Sequence, residues 1–282
     1  MDHRRDGGVD FIGGGDGRVA VAGIGRWAAR EGAALTTAVR FLSRIPVPLL
    51  GETGEERQKR SLRWYAFVGV ILGALLWVAA ELLHVLRVPA PGAAALVVAA
   101  DLWLTGGLHL DGWMDTADGL GSRRERERAL EIMRDSRVGA FGVMTAIGVL
   151  LTEWAFLDMW IAEGAPFEVP AAAWGIARWI MVWAVAALPY ARAEGMGAAL
   201  RGAGPGDVAV AGVALLIPGV PAVISSQWSV LLGAGVAFVA ARFWAGRVAK
   251  RLGGLTGDVY GALCVFTQVC ALVAMEVIGR WI

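Results

Sequence analysis

The apolar residues of this chain gather in long blocks separated by short polar segments. Several blocks reach about 20 residues, the length that a helix needs to cross a bilayer. The predicted spans are Trp64–Leu86, Ala90–Leu108, Gly139–Ile161, Ala171–Tyr190, Val208–Ile224, Trp228–Trp244 and Val259–Gly279. We find none of the short alternating segments that are typical of barrel strands. The pattern therefore predicts an all-α polytopic integral membrane protein with about seven transmembrane helices.

The chain before the first block has a different character. Arg26–Leu42 is a helix candidate with several basic residues, and we expect it to lie along the membrane surface. Pro46 prevents its continuation. Residues 1–25 are rich in Gly, Asp and Arg and predict a disordered extension. Residues 26–282 then form a single membrane-embedded catalytic domain.

Composition and charge narrow the function classes. Hydrophobic residues make up 57% of the 282 residues, and the mean hydropathy is +0.57, above the range of a soluble domain. The net charge of +1 gives no electrostatic case for nucleic acid. The two cysteines, Cys264 and Cys270, lie in an apolar block and lack metal-binding spacing.

Basic residues concentrate in alternate loops. With seven spans, these loops fall on one side, and the opposite loops are nearly free of Lys and Arg. The positive-inside rule then predicts a bacterial cytoplasmic membrane protein whose N-terminus and basic loops face the cytoplasm. The basic positions are Arg57, Lys59, Arg60, Arg63, Arg123, Arg124, Arg126, Arg128, Arg134, Arg137, Arg192, Arg201, Arg247, Lys250 and Arg251.

A stripe of carboxylates follows the second span. In a helix, Asp111, Asp115 and Asp118 would share one face at positions i, i+4 and i+7. The outer pair would be about 10 Å apart along the axis, so neighbouring members would share ions. Carboxylates beside hydrocarbon need a cation partner, and Mg²⁺ is the usual one where phosphates are handled. The stripe predicts a magnesium site with one or two ions.

A second acidic pair lies downstream. Glu131 and Asp135 are also separated by four residues, and two facing helices would close them with Asp115 and Asp118 into a four-carboxylate cage. Arg134 and Arg137 border this pair and suit phosphate oxygens. The alternating charges of 123–128 instead indicate a solvated helix face.

Four further residues have both a functional and a structural interpretation. His109 precedes the stripe and is either a catalytic residue or an interfacial hydrogen-bonding group. Asp258 is either a catalytic base or the cap of the next helix. Arg192 suits a phosphate or the membrane surface. Arg178 lies within a span, so it is either buried against an acid or lines a cavity.

Two long motifs, TGGLHLDG at 105–112 continuing into DTADG at 115–119, and LEIMRDSRVGAFG at 130–142, resemble the cobalamin synthase (adenosylcobinamide-GDP ribazoletransferase) family. Three weaker motifs agree in order, and the resemblance runs from about residue 35 to 270. They are FLSRIPVP at 41–48, PYAR at 189–192 with EGMG at 194–197, and GGLTGD at 253–258. The chain departs from the family after Asp258, where Gln268 stands at a position expected to be Glu.

The resemblance implies an enzyme that is membrane-embedded and Mg²⁺-dependent. A hydroxyl of α-ribazole, or of its 5′-phosphate, would attack adenosylcobinamide-GDP and release GMP, giving adenosylcobalamin or its 5′-phosphate. Asp135 is the first candidate for the base and Asp258 the second. Arg44, Arg134, Arg137 and Arg192 are candidates for substrate binding. The lipid bilayer is an expected partner, and a homo-oligomer is possible.

Two alternatives stay open at this point. Asp115-x-x-Asp118-Gly119 followed by Glu131-x-x-x-Asp135 is similar to the motif of membrane CDP-alcohol phosphotransferases, which catalyse the same type of displacement, although the gap is shorter. A cation transporter is the other alternative. The sequence shows none of the clear internal repeats that such transporters often carry.

Overall fold

The computed structural model describes residues 15–51, 54–192, 195, 200 and 202–282. Its helices, in chain order, are α1 (Gly15–Leu42), α2 (Glu55–Ser61), α3 (Tyr65–Val85), α4 (Ala90–Thr105), α5 (Leu108–Gly121), α6 (Arg126–Ile132), α7 (Ala140–Ala162), α8 (Glu168–Ala187), α9 (Pro205–Gly212), α10 (Leu216–Ile224), α11 (Trp228–Leu252) and α12 (Gly257–Gly279). Short 3-10 turns join α2 to α3 and α9 to α10.

The all-α membrane architecture predicted from the apolar blocks is confirmed. Within the described ranges, six helical stretches are long and apolar enough to cross a membrane, and the bent pair α4–α5 raises the number to seven. The fifth span, Pro205–Ile224, is continuous through α9 and α10. The sixth is longer than predicted, because α11 continues to Leu252 beyond Trp244.

The second span ends in a sharp break. Gly106 and Gly107 both adopt left-handed backbone angles, with φ of 66° and 71°, which glycine reaches without steric cost. α5 therefore leaves α4 at an angle of 91°. The backbone N–H of Arg44 donates to Leu104 O at 2.6 Å, so the end of α4 lies near the chain that leads into α3. We treat α4 as the spanning part of this pair and α5 as a helix at the end of the bundle.

Helices α8 and α12 form the centre of the bundle. In the apolar stretches of α8 and α12, 78% and 67% of the residues are buried, against 22% for α7 and for the α9–α10 span. Trp174 and Arg178 of α8 are almost completely buried. The peripheral helices expose large apolar side chains, which suits a lipid surface.

Close helix packing fixes α3 against α8. A Cβ added at Gly69 would lie 2.3 Å from Trp174 O, and one added at Gly73 would lie 2.3 Å from Pro170 O. Small residues let two backbones approach in this way, and van der Waals contact then stabilises the pair inside the membrane. The two helices make the most extensive contact of any pair in the described structure.

The N-terminal helix is longer than predicted. It begins at Gly15 and thus includes part of segment 1–25, which the sequence assigned to the extension. Its buried face includes Ala34, Ala38 and Leu42, whereas Ile24 and Trp27 are exposed. Residues 1–14 lie outside the described residues, and the division at residue 25 stays a prediction.

The α3–α8 contact yields a stability test. We expect Gly73→Ala to destabilise the protein by about 1–3 kcal/mol, because the added methyl group must displace the backbone at Pro170. The measurement is the melting temperature of the detergent-solubilised protein. Gly148→Ala is the matched control, since a Cβ at Gly148 meets no atom within 4 Å. Equal melting temperatures for the two variants would contradict the packing argument.

Candidate active site

The backbone contact between α5 and α12 assembles the site. A Cβ added at Gly112 would lie 2.6 Å from Asp258 O, so only glycine permits this approach without a shift. One turn further on, a Cβ at Gly261 would lie 3.4 Å from the backbone of His109. The approach brings the face of α5 that carries Asp111 to the beginning of α12, where Asp258 lies.

A short extended pairing adds Arg192 to this group. Leu255 N donates to Pro189 O and Ala191 N donates to Leu255 O, both at 2.8 Å. This pairing joins two of the weaker sequence motifs, which lie more than 60 residues apart in the chain. It places Arg192 Nη2 3.0 Å from Asp258 Oδ2, with both side chains largely buried.

Negative charge accumulates around Asp115. Burial, and then the charges of three neighbouring carboxylates, raise the pKa of Asp115 to about 6. These neighbours are Asp111, Asp258 and Asp118, and Arg192 opposes them. The four carboxylates therefore carry more negative charge than the guanidinium of Arg192 neutralises.

A cavity of about 180 Å³ lies against Asp111 and Asp258. Most of its wall is apolar or aromatic, and the described residues that line it come from α1, α2, α3, α5, α8, α12 and the segment before α9. They are Phe41, Gln58, Tyr65, Leu108, His109, Asp111, Gly112, Met181, Val185, Leu200, Gly257, Asp258, Tyr260 and Gly261. The structure thus places an apolar pocket directly beside two carboxylates.

Asp118 has a clear structural role. Its Oδ2 accepts a hydrogen bond from Gly139 N and its Oδ1 accepts one from Gly142 N, both at 2.8 Å. It thereby binds the N–H of Gly139, which precedes α7, and the free N–H of Gly142 in the first turn, as a capping carboxylate does. A Cβ on either glycine would lie within 2.6 Å of the carboxylate, which explains both glycines of the motif at 138–142. The ligand role of Asp118 stays a prediction.

The acidic pair on the next segment does not complete the predicted cage. Glu131 pairs with Arg128 at 2.6 Å, and Asp135 accepts from Arg137 Nη2 at 2.7 Å, in exposed positions. The hydrogen bonds from Arg137 lower the pKa of Asp135 to about 2, so this carboxylate is a weak proton acceptor. α6 instead packs on α5 through Ala129 and Met133, which face Gly119.

The predicted substrate arginines occupy different places. Arg134 and Arg137 are exposed, and Arg137 is engaged by Asp135. The side chain of Arg44 lies over the α4–α5 break, where its Cδ is 3.1 Å from the Cβ position of Gly106. Arg192 is the one of the four that the structure brings to the carboxylates. Residues 194, 196–197 and Arg201 lie outside the described residues.

His109 lies at the junction of the cavity with a buried polar cluster. Its imidazole is 5% exposed, and neither ring nitrogen has a hydrogen-bond partner among the described residues. It lines both the cavity beside Asp111 and a small second cavity bordered by Asp101, Glu153 and Arg178. His109 thus borders both the candidate site and the buried polar cluster.

The buried polar cluster is the feature that the sequence analysis missed. Arg178 Nη1 donates to Gln268 Oε1 at 2.6 Å, and Gln268 Nε2 donates to Glu153 Oε1 at 2.9 Å and to Asp101 Oδ2 at 3.3 Å. Trp174 Nε1 donates to Asp101 Oδ1 at 2.8 Å. Gln268 therefore links four helices. Arg178 is buried and lines the second cavity, as one interpretation predicted, and its hydrogen-bond partner is the amide of Gln268. The signal was the set of polar residues inside apolar blocks, which are usually paired.

The carboxylates of the site suit Mg²⁺ only if substrate phosphates supply some of the ligands. Among the residues that the structure describes, no three His, Cys, Asp or Glu side chains form a group able to hold a metal. Mg²⁺ commonly takes one or two carboxylates together with substrate phosphates. The oxygen donors of Asp111 and Asp115, with their uncompensated charge, fit that requirement.

The comparisons agree with the motifs. A family model described as cobalamin-5-phosphate synthase matches residues 34–276. Three bacterial relatives, each named adenosylcobinamide-GDP ribazoletransferase, are 37–38% identical to this chain. That of Brevibacillus brevis is 37% identical over 86% of this chain and 97% of its own. That of Desulfitobacterium hafniense is 38% identical over 84% and 94%. That of Roseiflexus sp. is 38% identical over 84% and 87%. No solved structure matches.

The cap made by Asp118 predicts a stability effect. We expect Asp118→Ala to lower the free energy of unfolding by about 0.5–2 kcal/mol, because α7 loses its N-terminal cap. Asp111→Ala is the control, since the exposed Asp111 carboxylate caps no helix. Melting temperatures in detergent distinguish the two variants. An undiminished melting temperature for Asp118→Ala, with loss of metal binding, would favour the ligand role instead.

The repulsion at Asp115 predicts a pH dependence. Because the folded state raises the pKa of Asp115 from 3.8 to about 6, ionisation costs stability as the pH rises through that interval. In EDTA, Asp115→Asn should melt at a higher temperature than the wild type at about pH 8, with the difference vanishing near pH 4. Thermal melts across the pH range measure this difference. A constant offset between the two proteins would show that folding does not raise the pKa of Asp115.

Proposed function

Because this chain belongs to the cobalamin-5-phosphate synthase family, we propose that it transfers the adenosylcobinamide-phosphate group from adenosylcobinamide-GDP to α-ribazole or its 5′-phosphate. GMP is the other product. The single observation that carries the proposal is the family match over residues 34–276, which includes every element of the site. The matches do not favour a CDP-alcohol phosphotransferase or a transporter. Glu131 and Asp135 are paired with Arg128 and Arg137, which gives the motif parallel with the former no support.

The reaction forms one P–O bond and breaks another. The acceptor hydroxyl attacks the phosphorus attached to the corrinoid arm, the bond to the GMP oxygen breaks, and the hydroxyl proton moves to a base. We assign the base to Asp258, which lines the cavity. Its present partner, Arg192, is 3.0 Å away and is suited to exchange this carboxylate for phosphate oxygens. That exchange frees Asp258 to accept the proton when substrate is bound.

Asp111 and Asp115 are the proposed Mg²⁺ ligands, together with the substrate diphosphate. The ion supplies charge neutralisation to the diphosphate when it is bound. Asp111 and Asp115 would fix the position of the ion, because both lie on the face of α5 that Gly112 holds against α12. His109, on the first turn of α5, is buried at the same junction, where its backbone packs against Gly261 of α12.

The site is proposed to face the cytoplasm from a bacterial inner membrane. Basic segments that are distant in sequence meet at this end of the bundle. Arg126 Nε donates to Leu252 O at 2.7 Å, and Arg251 Nη2 donates to Leu120 O at 3.0 Å. The side chain of Arg126 therefore makes a structural contact, whereas the sequence predicted it to be part of the solvated helix face at 123–128. Positively charged segments gather on the cytoplasmic side of membrane proteins.

The proposal is tested with purified protein, adenosylcobinamide-GDP and α-ribazole. We expect GMP release that requires both substrates and is lost when EDTA removes Mg²⁺. Asp111→Ala and Asp258→Ala should each lower turnover by ~100-fold, as when one charge-stabilising group is removed. Glu127→Gln is the control, because Glu127 is exposed and its one ion pair among the described residues is with Arg126. Full activity in EDTA would exclude the metal, and absence of GMP release would exclude the reaction.

A further inference from the structure

We propose that the cavity beside Asp111 and Asp258 binds the benzimidazole-type base of the acceptor, α-ribazole, and so places the acceptor hydroxyl at the carboxylates. This inference rests on the proposed function. It adds that the cavity serves the acceptor and not the leaving nucleotide, and it names the residues that select the base.

The size of the cavity selects a small aromatic ring. Its volume is about 180 Å³, and apolar cavities of about 150 Å³ take up a single benzene ring. A corrinoid is many times larger and must therefore lie outside, against the open end of the site. Each of the two substrates contains a heterocyclic base, and a base is the part that is small enough for this cavity.

The wall chemistry favours a base with few polar atoms. Phe41 stacks on Tyr65 with ring centroids 5.8 Å apart, and the two rings form one wall. Met181 and Val185 of α8 supply aliphatic surface to the same cavity. Tyr260, on α12, stacks on Tyr190 at 6.4 Å. An apolar ring gains by leaving water in such a space.

The guanine of the other substrate fits this wall less well. Guanine presents several donors and acceptors along its edge, and each one buried without a partner costs free energy. A benzimidazole has one free ring nitrogen. The polar groups of the lining are few and include Gln58, Asp111 and Asp258, whereas Leu108, Met181 and Val185 offer no partner to the edge of guanine. The mostly apolar wall therefore favours the acceptor over the leaving nucleotide.

The position of the cavity links base binding to chemistry. Asp111 and Asp258 belong to its lining, so a ribose attached to a base inside would emerge at the carboxylates. Binding of the base would then orient the hydroxyl before the corrinoid substrate arrives. Orientation of this kind contributes to rate through the effective concentration of the reacting groups.

A filling variant tests the proposal. Val185→Phe should raise the KM for α-ribazole by at least ~10-fold, the low end of what a steric misfit in an apolar pocket costs, and leave the KM for adenosylcobinamide-GDP close to wild type. The Kd of α-ribazole alone, measured by calorimetry on the detergent-solubilised protein, should rise in parallel. Val236→Phe is the matched control, since Val236 is 51% exposed on α11 and lies outside the cavity lining.

The outcomes separate the inference from the proposed function. An increase in the KM for adenosylcobinamide-GDP alone would assign the cavity to guanine and overturn the inference, as would unchanged constants for both substrates. Absence of GMP release by the wild type would instead overturn the proposed function. Melting temperatures show whether Val185→Phe is folded. If Val185→Phe is not folded, the smaller substitution Val185→Leu should raise the KM for α-ribazole to a lesser degree. An unchanged KM in Val185→Leu would also count against the inference.

Discussion

The contact between α5 and α12 at Gly112 is the constraint on which the site depends. Without a side chain at this position, the backbone of one helix lies directly on the carbonyl of Asp258. The grouping of the carboxylates follows from that approach, because Asp111 and Asp115 are carried by α5 and Asp258 by α12. A methyl group there would separate the helices and with them the carboxylates. The like charges that the contact brings together repel one another, so tight packing must hold the site against its own electrostatics.

The packing beneath the site is unusual in its polarity. Asp101, Glu153, Arg178 and Gln268 meet in the interior, where each polar atom without a partner would be costly. Such networks give less stability than apolar side chains of equal volume, but they have one favourable arrangement rather than many. The network joins α4, α7, α8 and α12, and α5 packs on two of these helices, α7 and α12. Its fixed geometry gives the catalytic end a rigid base.

The sequence predicted the helices better than their junctions. Apolar length located the spans, because the bilayer imposes one dimension on every helix that crosses it. It did not show that Gly106 and Gly107 turn the chain by 91°, since the same residues also occur within straight helices. The spacing of Asp111, Asp115 and Asp118 predicted a shared face, but a capping carboxylate and a metal ligand look alike in sequence. The approach of Arg192 to Asp258 depends on two backbone hydrogen bonds between segments far apart in the chain, which periodicity does not encode. The role of Gln268 followed from its neighbours in space.

The two hydrogen bonds that Asp118 accepts have a consequence for how this architecture can vary. They fasten the start of α7 directly to α5, and Ala129 and Met133 hold α6 against α5, so the loop 123–125 is not needed to keep these helices in register. A stretch whose ends are pinned by other contacts tolerates changes in length, because extending such a loop adds only a small entropic cost. Insertions and fused sequences are therefore best accommodated there. The same freedom lets evolution remodel the cationic surface at this end of the bundle while the reacting groups stay in place.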